Sequence, residues 1–131
     1  MSQFTLGYQK IRGLVELIRL LFHYLEIEYK EVLYEFYLAP DFSLDSWFSV
    51  KYKLGLDYMN IPYLIDGYFK MTKSNAIWRY ICEKYKSELL GETIKEKTYF
   101  NMTIGVLADL LNDKDMDCPE NKCSKILWKI N

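Results

Sequence analysis

The sequence predicts an α/β domain with the element order βαβββα, followed by an incomplete all-α segment. Three observations lead there. A short β-prone run near the N-terminus passes through Gly13 into apolar residues at helical spacing, two apolar runs flank Asp66-Gly67, and successive helical patterns open at Ser74 and Thr93.

Phe4 to Gly7 supplies the first strand. After Gly13, apolar residues recur at Leu14, Leu17, Ile18, Leu21 and Leu25, the spacing of an amphipathic helix. Tyr29 to Tyr37 is rich in aromatic and β-branched residues and gives a second strand, parallel to the first if the helix is a crossover. Ala39 to Gly55 carries Pro40 and several Asp and Ser residues, so an irregular stretch is expected with a short helix near Trp47 to Lys53. Pro62-Tyr63-Leu64-Ile65 and Tyr68-Phe69-Lys70-Met71 around Asp66-Gly67 form an antiparallel hairpin. Ser74 is placed to cap a helix whose apolar face holds Ile77, Ile81 and Tyr85, with Trp78 and Cys82 beside them. Lys86 to Gly91 reads as a linker. Thr93 and Glu96 then make a capping box for a second helix with Phe100, Ile104, Leu107 and Leu111 on its apolar face. From Asn112 the helical period fades, and a frayed tail is expected.

A chain of 131 residues suits one compact domain with the start of another and can bury a core without disulfides. The formal charge of -1 gives no strong field for phosphates, and no basic run interleaved with aromatics appears, which argues against nucleic acid as a partner. Met1-Ser2-Gln3-Phe4 lacks a basic n-region, and Glu16, Arg19 and His23 interrupt the most apolar stretch, so neither export nor a membrane span is expected. Three cysteines are an odd number, and Cys118 with Cys123 lacks the further ligands of a zinc site, so no metal is expected and a reducing cytoplasm is.

A proline opening the third strand of this βαβββα order is the thioredoxin-like arrangement, but no Cys-x-x-Cys pair stands near the first helix. Instead Thr5-Leu6-Gly7-Tyr8, Ile11-Arg12-Gly13-Leu14 and Ile18-Arg19-Leu20-Leu21 resemble the opening of mu-class glutathione transferases. The resemblance runs on through Ala39-Pro40-Asp41, Lys53-Leu54-Gly55-Leu56-Asp57, Asn60-Ile61-Pro62-Tyr63-Leu64-Ile65-Asp66-Gly67, Ser74-Asn75-Ala76-Ile77 and Gly91-Glu92-Thr93. It implies a thioredoxin-like glutathione-binding domain over residues 1–86 and the truncated start of an all-α C-terminal domain, with a divergent tail, over 92–131.

The resemblance also implies a chemistry. A thiol with a pKa near 8.5 is mostly protonated at neutral pH, so a transferase that uses the sulfur of glutathione must stabilise its thiolate. A tyrosine hydroxyl can donate to that anion while keeping its own proton, and each unit of thiol acidity requires roughly 1.4 kcal/mol. Tyr8 stands at the family's position for this role, although most of the 12 tyrosines must be packing residues. Glutathione-binding roles are implied for Tyr8, Leu14, Trp47, Lys51, Asn60, Ile61, Lys73 and Ser74, with glutathione as co-substrate and no cofactor. Ile61 would act through its backbone, held extended before Pro62; for Asn60 and Ile61 the alternative is turn chemistry. Ser74 would offer helix N-terminal amides to the γ-glutamyl carboxylate, or be an ordinary cap. Trp47 and Lys51 would converge on the glycyl carboxylate, or be a core indole beside a solvated lysine. Asp109 falls where the family lends an acidic residue to the neighbouring subunit's site, which implies a homo- or heterodimer.

Three positions depart from the pattern. The family's tryptophan after the catalytic tyrosine is Gln9, its arginine before the Trp47 helix is Leu44, and its glutamine before Ser74 is Lys73. Leu44 offers no donor, so glutathione binding is expected to be weaker by roughly 1 to 3 kcal/mol. The expected function is conjugation of glutathione to small hydrophobic electrophiles. The alternative is a non-catalytic glutathione-binding or subunit-interaction fragment, because the resemblance stops near Asp109 and the helices of the family's second domain do not follow.

Overall fold

The computed structural model describes residues 4–35 and 43–112. The expected tail from Asp113, Cys118 and Cys123, and the stretch around Pro40 lie outside them. The chain divides into two compact units, Met1–Lys86 and Ser87–Asn131.

The first unit is built on a four-stranded sheet. Strands β1 (Phe4–Gln9), β2 (Tyr29–Tyr34), β3 (Tyr63–Asp66) and β4 (Phe69–Thr72) lie in the order β2-β1-β3-β4. β1 and β2 are parallel, with Phe4 opposite Tyr29, because helix α1 (Glu16–Tyr24) carries the chain back across the sheet. β3 pairs antiparallel with β1 and with β4. Asp66 pairs with Phe69 inside the hairpin, so the turn residues are Gly67 and Tyr68, one place later than Asp66-Gly67. Positive φ falls on Gly67 (59°) and not on Tyr68, the requirement of a type II′ turn.

Alternate residues of β1 serve opposite faces. Phe4 and Leu6 meet α1 and helix α3 (Ser74–Tyr85) in a layer that buries Val15, Ile18, Phe22, Leu64, Ile77 and Ile81 completely or nearly so. The stripe of α1 is rotated from the sequence expectation: Val15, Ile18 and Phe22 are buried, while Leu14 and Leu17 are more than half exposed. The reason is aromatic packing. Phe22 stacks on Tyr29 at 4.6 Å and lies 5.6 Å from Phe4, and that fit fixes the helix rotation. On α3, Ile77, Trp78, Ile81 and Cys82 are buried as expected, but Tyr85 is 45% exposed. At the hairpin end, the buried carboxylate of Asp66 accepts from Tyr80 Oη at 2.6 Å and from Lys84 Nζ at 2.5 Å, which ties β3 to α3.

The opposite face is aromatic. Tyr34, Trp47, Leu56 and Tyr63 form one buried cluster. Tyr34 and Tyr63 share a 2.8 Å hydrogen bond between their hydroxyls, and Trp47 stacks on Tyr63 at 6.1 Å. Tyr63 lies directly over Gly7, where an added Cβ would come within 2.1 Å of the ring. Trp47 belongs to the short helix α2 (Asp45–Phe48); the helix expected near 47–53 therefore begins earlier and breaks, with a separate 3-10 turn over Lys51–Lys53.

Ser74 is not a cap. It is the first residue of α3, and Lys73 holds the cap position with φ 73° and ψ 117° and no side-chain cap bond. Thr72 ends β4 in a buried position, so the turn into the helix must be completed by one residue. Lys73 takes it in the left-handed region, and its carbonyl accepts the amides of Ala76 and Ile77.

In the second unit, the segment expected as a linker holds a 3-10 turn at Ser87–Leu90, after which helix α4 (Ile94–Asn112) begins. The capping box forms: Glu96 N–H donates to Thr93 Oγ1 at 3.2 Å, and Glu96 Oε2 accepts from the amides of Thr93 and Glu92. Those amides, Thr93's first, hold the Glu96 carboxyl below its ordinary range.

Candidate functional site

β1 ends against the aromatic face, and there the chain opens a cleft of about 390 Å³ lined by Tyr8, Gln9, Leu44, Trp47, Phe48, Lys51, Met59, Asn60 and Ile61. Tyr8 is only 6% exposed, held in strand register opposite Leu33. The chain then turns back over it. Gly13, with φ 46°, would place a Cβ 2.7 Å from the Tyr8 hydroxyl oxygen, so a glycine is needed for both conformation and space. The next amide, Leu14 N–H, donates to Tyr8 Oη at 3.2 Å. Leu14 itself is exposed and contributes its backbone.

An N–H donated to a phenol oxygen occupies a lone pair and leaves the O–H to be directed elsewhere. Tyr8 is thus a largely buried residue that lines the cleft, with its hydroxyl oxygen engaged by an amide.

Across the cleft, Trp47 is 4% exposed and its ring is part of the core cluster. Lys51 opens the 3-10 turn; its ammonium lies 4.7 Å from the ring centres of Phe48 and of Tyr52. Cation–π contacts of this kind localise a lysine without neutralising it. Asn60 and Ile61 also line the cleft. The Ile61–Pro62 peptide is cis, and Ile61 N–H donates to Asn60 Oδ1 at 2.8 Å. A ligand carbonyl that pairs with this amide must displace the Asn60 side chain.

The structure therefore brings Tyr8, the Leu14 amide, Trp47, Lys51, Asn60 and Ile61 together. Lys73 instead lines a neighbouring cleft of about 300 Å³ with Leu56, Asp57, Tyr58, Lys70, Met71, Thr72 and Ala76. Ser74 stands at the first turn of α3, and Asp109 is an exposed residue of α4 in the second unit. Phe48 and Met59 were missed by sequence reasoning, although each adjoins a predicted site residue. Leu44 and Gln9 do line the cleft, so the two substitutions sit where the resemblance locates them.

Among the described residues no helix is long and apolar enough to cross a membrane, and no group of three His, Cys, Asp or Glu side chains is placed to hold a metal ion.

Residues 4–83 match the profile of the family described as "Glutathione S-transferase, N-terminal domain". Over 124 residues, 95% of this chain, the sequence is 48% identical to "Glutathione S-transferase Mu 4" of Rattus norvegicus and 47% identical to "Glutathione S-transferase Mu 1" of Macaca fascicularis. The match runs well past Asp109, where the sequence alone suggests that the resemblance stops, and in each case it covers 52% of the relative, so the chain spans about half the length of these curated relatives. The solved structure of the Onchocerca volvulus Pi-class glutathione S-transferase superposes with a TM-score of 0.67 at 33% identity, covering 84% of this chain and 47% of that one. A parallel β1/β2 pair joined through α1, an antiparallel β3/β4 hairpin and α3 make up the thioredoxin-like half of such enzymes, and with this matching profile the chain belongs to the glutathione S-transferase family.

Proposed function

We propose that the cleft binds reduced glutathione and that the chain conjugates its sulfur to small hydrophobic electrophiles. The observation that carries this reading is Tyr8, whose hydroxyl accepts the Leu14 amide at 3.2 Å and which lines the same cleft as Lys51 and Ile61. The cysteinyl backbone pairs with Ile61 in the manner of an added strand as Asn60 Oδ1 gives way. The sulfur then lies at Tyr8, whose O–H donates to the thiolate and lowers the proportion of inert thiol. Lys51 attracts the glycyl carboxylate over Trp47, and the α3 N-terminus at Lys73 and Ser74 attracts the γ-glutamyl end. Asp109 serves the neighbouring subunit's site in a homo- or heterodimer, and the setting is the cytoplasm.

A charge-assisted hydrogen bond contributes about 1.5 to 3 kcal/mol, and 1.4 kcal/mol is a factor of ten in rate. Tyr8→Phe should therefore reduce conjugation of a generic aryl halide by roughly 10- to 100-fold while retention on immobilised glutathione persists. Retention of the wild type without turnover would sink the enzyme reading. Equal activity in wild type and Tyr8→Phe would remove Tyr8 from its role.

A second reading, glutathione binding without useful turnover, is favoured by the lining of the cleft. Leu44 offers no donor there, and Lys51 is the single cation among the described lining residues. The same two assays separate the readings.

A further inference from the structure

Residues 10–13 are all exposed and lead from β1 into the turn before α1. Lys10 N–H donates to Tyr34 O of β2 at 3.0 Å. Ile11 N–H closes a turn onto Gln9 O at 2.8 Å, and the Ile11 carbonyl is tied by a side chain: Arg19 Nη1 donates to it at 2.9 Å. That arginine is far from an ordinary surface cation, being 20% exposed in its side chain. Its Nε donates to Glu31 Oε1 of β2 at 2.6 Å, and Nη1 also meets Glu16 Oε2, at the start of α1, at 3.1 Å. One planar group thus joins α1, β2 and the loop. Three residues after Ile11 comes the Leu14 amide, on the Tyr8 oxygen.

We propose that Arg19 is a positioning residue for Tyr8: by holding the Ile11 carbonyl to α1 and β2, it fixes the loop that presents the Leu14 amide to the Tyr8 hydroxyl. The 3.2 Å separation is at the long edge of an N–H···O hydrogen bond, so a drift of a few tenths of an ångström loses it. Once it is lost, the hydroxyl rotor is no longer restricted by an engaged lone pair, and its O–H is aimed less consistently into the cleft. A guanidinium fork suits this task better than an ammonium, because its donors diverge in fixed directions toward Glu31, Glu16 and the carbonyl at once. The effect falls on the ionisation of bound thiol and little on peptide affinity, since Arg19 does not line the cleft.

This inference rests on the reading that Tyr8 donates to the sulfur, and the test separates the two. The ultraviolet absorption of the thiolate is followed against pH for reduced glutathione bound to the full chain, with calorimetry for affinity, in wild type, Tyr8→Phe, Arg19→Gln and Arg19→Lys. Tyr8→Phe should raise the thiol's ionisation midpoint most. Arg19→Gln should raise it by roughly half a unit, a loss of thiolate at neutral pH of at most roughly threefold, with affinity nearly unchanged. Arg19→Lys, which keeps the charge but loses the fork, should fall between Arg19→Gln and wild type. If Tyr8→Phe moves the midpoint and Arg19→Gln leaves it at the wild-type value, the role of Arg19 is overturned while that of Tyr8 stands. A midpoint unmoved in Tyr8→Phe overturns both. Should Arg19→Gln fail to fold, Glu31→Gln, which removes the 2.6 Å anchor and keeps the arginine, gives the same readout: a raised midpoint supports the role and an unmoved one overturns it.

Discussion

The two faces of the sheet are buried by different means. The face under α1 and α3 is a mainly hydrocarbon layer in which Leu6, Ile18, Leu64, Ile77 and Ile81 show no exposed surface. The face under α2 is an aromatic cluster tied by a buried hydrogen bond between Tyr34 and Tyr63. Hydrocarbon burial is non-directional and tolerates some repacking, whereas a hydrogen-bonded aromatic cluster fixes orientation. The candidate site borders the second kind: Trp47 belongs to both cluster and cleft, and Leu44 and Ile61 pack against the one and line the other. One face chiefly supplies stability, and the other holds the wall of a site in place.

The sharpest way to break that division is Phe22→Ala. Truncating a fully buried ring stacked on Tyr29 should destabilise the unit by about 3 to 5 kcal/mol, measured by denaturant midpoint, and leave glutathione affinity of the folded fraction intact. An affinity loss in the folded fraction would show that the helical face also sets the site.

Gly7→Ala should hit both properties. The new Cβ would lie 2.1 Å from the Tyr63 ring, an overpacking of about 1 to 3 kcal/mol, and any relief must shift either Tyr63 or the strand that carries Tyr8. Thermal melts and conjugation rates should fall together; a melt loss with normal activity would uncouple the cluster from the site.

Tyr63→Phe sharpens the comparison with the smallest change. It leaves the Tyr34 hydroxyl without this partner, at about 1 to 2 kcal/mol, and adding Tyr34→Phe should recover part of the loss. Burial, and then the hydrogen bond with Tyr34, push the Tyr63 phenol well above its ordinary value. The folded state therefore holds this proton more tightly than the unfolded chain. Its contribution is complete below the unfolded value near pH 10 and declines as pH rises above it, by at most about 1.4 kcal/mol per pH unit. Tyr63→Phe should flatten the alkaline loss of stability. An unchanged slope would point to Tyr29 and Tyr80, whose phenols on the helical face are also raised, Tyr29 chiefly by burial and Tyr80 chiefly by its hydrogen bond with Asp66.

The same contrast explains what could be read from residues alone. The hairpin, α3 and the Thr93/Glu96 box were legible because each depends on neighbours close in sequence. The rotation of α1 was not, since Leu17 and Phe22 suit overlapping apolar arcs and the choice is made by Phe4 and Tyr29 on other elements. Ser74 was misread as a cap because nothing local reveals that Lys73 must turn the chain unaided. Tyr8, Trp47, Asn60 and Ile61 were identified through block resemblance, not periodicity. Phe48 and Met59 escaped notice because the segment between β2 and β3 has no period by which to assign an inward side. Arg19 is visible in the sequence as an interruption of an apolar stretch and as part of a resembling block, but its role is not, because its contacts join residues 8 and 12 positions away.

In the proposed function glutathione lies in the cleft between Tyr8 and Ile61. The most direct test of this is amide chemical-shift mapping of the isotopically labelled chain titrated with reduced glutathione. Saturable shifts are expected at Leu14, Ile61 and Ser74, with the Asn60 side-chain amide moving as its bond to Ile61 is exchanged for one to the peptide. Saturable shifts confined to Leu56, Tyr58, Lys70 and Met71, or none at all at millimolar peptide, would contradict it.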